Sequence, residues 1–191
     1  MAMLFCKPPV SVSIDGSDYE INTDFRVWLE IERLLCSSEM SEGERIAQCF
    51  VLAYPQLPPN PFGALEEMMG FYFAGKKPSP SASSFGASGV MPVYDFAADS
   101  AYIYGSFFSQ YGIDLFDAEL HWWKFRALLA CLSDKSKFAQ VVSYRSTDTQ
   151  AIGDPNKKRF YERMKKIYAL PDNRTEEEKE AAQNESMECL F

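Results

Sequence analysis

A single histidine, His121, limits any nucleophilic or general-base scheme in this chain, because a Ser-His-Asp or Cys-His arrangement would have to use it. It is followed directly by Trp122 and Trp123 in a helical pattern. We therefore read it as an interior or hairpin-lining histidine with a hydrogen-bonded ring. The carboxylates that could act together are Asp95 with Asp99, one helical turn apart, and Asp114, Asp117 and Glu119 around the following loop. A metal or acid/base site would need them to converge, and the glycine-bearing loop of a calcium site is missing from their spacing. Asp95 and Asp117 are expected to cap helices, and the others to face water. Cys6, Cys36, Cys49, Cys131 and Cys189 form no C-x-x-C pair and are odd in number, which fits neither a disulfide framework nor a zinc site. Cys36, Cys49 and Cys131 fall at apolar-periodic positions and read as small core residues. Lys157, Lys158, Arg159, Arg163, Lys165 and Lys166 make one basic cluster, read as a solvated helix face. Gly86-Ala87-Ser88-Gly89 has no strand before it or helix after it, so it is no phosphate loop. The expectation is a protein without catalytic, metal or cofactor sites.

A chain of 191 residues can bury a full core. Its formal net charge of -8 argues against general nucleic-acid binding, which needs a basic surface. No apolar run reaches the length of a membrane span, and the first residues lack a signal-peptide core, so residence in the cytosol is expected.

The elements follow from local signals. Val10 to Ile21 alternates around Asp15-Gly16 and predicts a β-hairpin, which must lean on a helix or on another chain. Thr23 is read as the cap of a helix to about Cys36, whose stripe of Phe25, Trp28, Leu29 and Leu35 is interrupted by Glu32. Ser41 and Glu44 have capping-box spacing and open a helix that Tyr54-Pro55 ends. A third helix is expected from about Phe62 to Ala74 with a stop at Gly75. Residues 76–92, rich in Ser, Pro, Gly and Ala, read as a flexible linker.

Tyr94 to Leu132 holds the densest aromatic content. Asp95 is the expected cap of a helix carrying Phe96, Ser100, Ile103, Phe107 and Tyr111 at spacings of three and four, with Gly112 as its left-handed stop. A second run places Trp122, Phe125, Leu129 and Leu132 on one stripe, and the short connection predicts an antiparallel helical hairpin. Trp122, Trp123, Phe125, His121, Phe107 and Tyr111 are the expected structural centre. The inner seam of such a hairpin cannot hide Tyr102, Tyr104, Phe108 and Trp123, which need further helices or a partner; Tyr102, Tyr104 and Phe108 are the candidates for binding a partner. Asp134 is read as the cap of a helix through Phe138, Val141, Val142 and Tyr144; Asp154-Pro155 opens another, with Phe160, Met164, Ile167 and Tyr168 as its stripe. Residues 171–191 form a polar, helix-prone tail with Glu176, Glu177, Glu178 and Glu180. The fold expectation is mainly α, a multi-helix bundle: a short N-terminal β-hairpin plus three helices (residues 1–75), a linker (76–92), a helical part (93–170) packed with the first as one body, and the polar tail (171–191).

The wording Tyr94-Asp95-Phe96, Asp99-x-x-x-Ile103-Tyr104-x-x-Phe107, Gln110 to Leu115 and Leu120-His121-Trp122-Trp123-Lys124-Phe125 resembles a bacteriophage and prophage family named for gene product fifteen. Ile21 to Arg26, Phe71 to Gly75, Tyr144-Arg145 and Arg159 to Tyr168 are similar to the same pattern. The resemblance implies a gene in the tail-assembly region, near that of the tape-measure protein, and has no reaction attached to it. The expected function is a non-enzymatic, chaperone-like tail-assembly factor in the host bacterial cytoplasm. Its partners would be other tail proteins, above all the tape-measure protein, and a homo-oligomer is allowed. The alternative is a structural subunit of the tail or connector.

Overall fold

The computed structural model describes residues 6–37, 40–75 and 93–171. The linker read at 76–92 and the tail beyond Pro171, with Cys189, lie outside the described residues. The chain is mainly helical: β1 (Ser11–Ile14), β2 (Ser17–Glu20), α1 (Phe25–Leu35), α2 (Glu42–Ala53), α3 (Pro61–Tyr72), α4 (Ser100–Tyr111), α5 (Trp122–Ala130), α6 (Lys137–Ser146) and α7 (Pro155–Ile167). By its contacts it separates into two compact units, Met1–Val142 and Ser143–Phe191. The division falls inside α6 and not at the Ser/Pro/Gly stretch.

In the first unit the hairpin pairs Val12 with Tyr19 across a turn in which Asp15 (φ 52°) and Gly16 (φ 78°) are both left-handed, the geometry that keeps two twisted strands paired. It leans on α3. Asn60 caps that helix by accepting from Gly63 N at 3.1 Å, and its Nδ2 donates to the Asp15 carboxylate at 2.9 Å. The approach is so close that a Cβ on Gly63 would stand 2.8 Å from Ile14 Cγ2.

α1 is capped by Asp24, whose carboxylate accepts from Arg26 N at 2.8 Å, and not by Thr23. Thr23 acts through its backbone instead, its carbonyl accepting from Trp122 N at 2.7 Å while Phe25 N donates to Leu120 O at 3.0 Å. These bonds form an antiparallel bridge between Asp24 and His121. α2 carries the capping box of Ser41 and Glu44.

The central stretch departs from the expected hairpin. Asp95 closes a turn ahead of α4, accepting from Ala98 N at 2.6 Å, and α4 itself starts after Asp99. Gly112 ends α4 in a left-handed cap (φ 66°). The chain then makes a turn at Leu115–Asp117 and runs extended into the bridge with Asp24, so α5 begins only at Trp122, not near Asp117. Phe107 stacks on Phe125 at 5.2 Å, Tyr111 Oη donates to Leu128 O at 2.8 Å and Gln110 Nε2 donates to Cys131 O at 3.0 Å. Positions on both helices rise together, so α4 and α5 run in the same sense where they touch. The extended return through Leu120 is what makes this possible.

The core is a set of stacked rings. Trp28 and Trp122 lie 6.2 Å apart, Trp122 and Phe125 5.9 Å, and Phe25 and Phe125 4.8 Å, with Phe71 against Trp28 at 4.8 Å. Flat rings bury large area at small entropic cost, so this cluster dominates the burial. Of the cysteines read as core, Cys49 is buried, but Cys36 and Cys131 are exposed because each is the C-cap of a helix. α6 is started by Ser136, whose hydroxyl accepts from Ala139 N at 3.2 Å, and not by Asp134.

In the second unit, Asp154 caps α7 by accepting from Asn156 N at 2.8 Å. Tyr144 stacks on Tyr168 at 5.7 Å and meets Phe160 and Tyr161 edge-on. Ile167, placed by its spacing on the packed stripe, is 60% exposed. Tyr161 takes that place beside Tyr144.

Candidate docking face on the fourth helix

His121 sits in extended backbone (ψ 139°) as the N-cap of α5. Its Nδ1 accepts from Trp123 N at 3.0 Å, which leaves the proton on Nε2 to be donated to Pro9 O at 2.9 Å. Burial, with a smaller push from Lys124, holds the imidazole below its ordinary pKa against the raising effect of the Pro9 bond. Both ring nitrogens are thus committed to backbone. The carboxylates do not converge either. Asp99, expected to face water, is fully buried; it accepts from Asp95 N at 3.1 Å, closing a turn from both ends. Asp114 accepts from Phe116 N at 2.9 Å, and Asp117 lies in an exposed turn without a helix to cap. Of the α7 lysines and arginines, Lys157, Arg159, Arg163 and Lys166 are exposed and Lys158 and Lys165 half-buried.

What the sequence stretches singled out above share is a set of backbone clamps. Indole N–H groups need an acceptor when buried, and the last carbonyls of a helix need donors. Trp122 Nε1 donates to Tyr72 O at 2.9 Å and Trp123 Nε1 to Phe71 O at 2.8 Å, with Arg126 adding a second bond to Tyr72 O at 2.6 Å. α5 therefore closes the C-terminal end of α3. Arg26 does the same for the loop after α4: its guanidinium donates to Leu115 O and Phe116 O, each at 2.8 Å, and to Ala118 O at 3.2 Å. A planar, five-donor head suits three converging carbonyls, and a lysine would not. Arg26 is a residue whose role no periodicity signals. Its place two residues after an Asp cap gives no hint of carbonyls some ninety positions away.

A second long-range cluster centres on Glu32. Tyr72 Oη donates to its Oε2 at 2.7 Å. Burial pushes the Glu32 carboxyl up to about 7, against the Tyr72 bond and the Arg126 charge, which favour the ionised form. The break that Glu32 makes in the apolar stripe of α1 was the readable sign of it.

Arg26 fixes the position of one further ring, Phe116, and this matters for the outside of the molecule. Phe116 is 79% exposed and lies 4.9 Å from Tyr104, which stacks on Phe108 at 6.2 Å; Phe108 is 54% exposed. Tyr104 and Phe108, separated by four residues, stand on one line of α4, so the three rings make a continuous apolar patch. Desolvation, then the nearby Asp114 carboxylate that accepts its hydrogen bond, raises the Tyr104 phenol above its ordinary pKa; Asp117 adds to this. Along the neighbouring line of α4 lies an open cleft of about 580 Å³, lined from α4 by the exposed Ala101, Gly105 and Ser109, by Tyr102 and by the buried Ser106. Lys135 and Lys137 line its other side, the Lys137 ammonium standing 6.0 Å from the Tyr102 ring. Tyr104 and Phe108 thus share one line of α4, whereas Tyr102, two residues from Tyr104 and so turned to another side of the helix, lines the cleft instead. Phe116 was missed because its exposure depends on the loop that Arg26 holds. Of the residues read as the structural centre, Trp122, Trp123, Phe125 and Phe107 are buried, while His121 and Tyr111 are half-buried at its edge.

No helix among the described residues is long and apolar enough to cross a membrane. No match was found among curated proteins or among solved structures. The family model described as Bacteriophage Gp15 protein matches residues 7–170, which takes in both clamps, the ring core and the α4 face, and the chain therefore belongs to the bacteriophage Gp15 family.

Proposed function

We propose that this phage protein is a non-enzymatic tail-assembly factor that holds a segment of the tape-measure protein on the outer face of α4. The observation that carries the reading is the patch of Tyr104, Phe108 and Phe116: large rings are left exposed beside a core of buried stacked rings, and the loop of Phe116 is pinned by three hydrogen bonds from Arg26. Exposed aromatic clusters of this kind bind apolar segments, and holding needs no reactive group. The tail context comes from the family resemblance, and the commitment of both His121 nitrogens to backbone favours a non-enzymatic role. The reading is tested by co-expressing the chain with the tape-measure protein encoded nearby and capturing it from cytosol and from finished particles. Capture from cytosol that a Phe108→Ser/Phe116→Ser variant loses, with absence from particles, supports it. Presence in particles at fixed stoichiometry makes the chain a structural subunit instead, and no association in either fraction overturns it.

A further inference from the structure

We infer that the α4 face receives a helix whose two flanks are oppositely charged, basic toward the loop at Asp114–Asp117 and acidic toward Lys135 and Lys137. This rests on the reading of α4 as the holding face and adds the chemistry of what is held. The two walls differ in sign. On the side of the rings stand Asp114 and Asp117, both close enough to act on the Tyr104 phenol. On the other side stand Lys135 and Lys137. Arg26, the cation nearest the acidic wall, is engaged by three carbonyls and by Asp24, at 3.3 Å. A partner of a single sign would be attracted by one wall and repelled by the other, whereas a helix with Lys or Arg along one flank and Asp or Glu along the other satisfies both.

The exposed strip of small residues on α4 sets the shape. Gly105 and its neighbours Ala101 and Ser109 present almost no side chain, and a Cβ built on Gly105 meets nothing within 4 Å. Interaxial distance between packed helices falls with the size of the residues at the crossing, so this strip admits a rod, with Phe108 and Phe116 as the ridge that its apolar face packs against. A cleft of about 580 Å³ holds a few side chains of such a rod and not a folded domain.

The test uses the full chain and three labelled synthetic peptides of about 18 residues, enough for five helical turns, that share one Ala/Leu face. Their flanks are Lys/Glu, Lys/Lys and Glu/Glu, and binding is read by fluorescence anisotropy at low salt. The Lys/Glu peptide should bind about tenfold more tightly than either other. Gly105→Leu, which raises a large side chain from that strip at a position with open space around it, should abolish that binding while circular dichroism stays unchanged. Asp117→Lys should move the preference to Glu/Glu. Equal affinities for the three peptides, no saturable binding by any, or binding indifferent to Gly105→Leu overturns the inference. Capture of the tape-measure protein by wild type, lost in Phe108→Ser/Phe116→Ser, would then show that the face still holds a partner of other chemistry; its absence would remove both.

Discussion

Glu32→Gln should remove the share of the pH dependence of folding that Glu32 contributes between pH 4.5 and 7. In the unfolded chain Glu32 gives up its proton near its ordinary value of 4.5, and in the folded chain near 7. Below 4.5 both states hold the proton and the group adds no pH dependence. As pH rises from 4.5 through 7 the unfolded state deprotonates first and is favoured, so the stability contributed by the protonated carboxyl is progressively lost. Above 7 the loss is complete and the curve flattens. At about 1.36 kcal/mol for each pH unit between those two values, the full change comes to about 3 kcal/mol. Glu32 is half-buried, so water on its open side makes that figure a ceiling. Glutamine keeps an acceptor for the Tyr72 hydroxyl at the position where Glu32 accepts at 2.7 Å, and it carries no charge at any pH. Urea melts followed by tryptophan fluorescence at half-unit steps from pH 4 to 8 would give the difference in unfolding free energy between variant and wild type. All other titrating groups cancel in that difference. It should be flat below 4.5, rise in favour of the variant up to 7, and stay level beyond. A difference curve without slope across that window would show that Glu32 ionises normally and that the Tyr72 contact is made by an ordinary carboxylate.

Trp122→Ala removes a fully buried ring together with the bond from its indole to Tyr72 O, and should cost about 3 to 5 kcal/mol in the same melts; a cost below about 1 kcal/mol would place the ring outside the core. Arg26→Met removes the guanidinium that stands 4.7 Å over the Phe25 ring, and with it the donors to Leu115, Phe116 and Ala118, so hydrogen exchange of the amides at 115–118 should quicken at least about tenfold, a loss of roughly 1.4 kcal/mol of local stability. Unchanged exchange there would mean that the loop is held by its own turn alone. Gly105→Ala, in the exposed middle of α4 with space for its methyl group, should raise stability by about 0.5 to 1 kcal/mol; destabilisation would show that the space around Gly105 is not open.

The parts of the fold that could be read from the sequence are those whose cause is local. Asp15-Gly16 dictates its turn because both residues tolerate positive φ, Ser41 and Glu44 satisfy each other within four residues, and Asp154 followed by Pro155 opens α7 whatever surrounds it. The misreadings have the opposite character. Asp95 and Asp99 are both credible caps by spacing, and which of them ends up buried depends on the turn that Asp95 closes before α4. His121 fits a helical stripe equally well as its first member or as the residue before it. The bridge to Asp24, nearly a hundred positions away, decides for the latter and with it the sense of α5 against α4.

The same reasoning separates core from candidate site. Trp122 and Trp123 each bring an N–H that has to be satisfied in the interior, and the last carbonyls of α3 can accept them, Phe71 O beside its bond from Ala74 N, so the indoles find their acceptors when α5 docks on Phe71 and Tyr72. Residues 21–26 contribute in the same manner: Thr23 and Phe25 pair with the segment before α5, and Arg26 closes the loop before that. Each of these groups has a need that the chain itself meets, and they account for folding. Phe108 and Phe116 differ in kind. Their rings are apolar and require no hydrogen bond, yet more than half of each surface stays in water while Arg26 commits three hydrogen bonds to the loop that presents one of them. Trp28, Trp122, Phe107 and Phe125 are buried to about 1% or less, and it is the contact of the exposed Phe108 and Phe116 with one Tyr104 ring, rather than exposure alone, that sets this pair apart from an isolated surface ring such as Phe62 and underlies the proposal of a docking face.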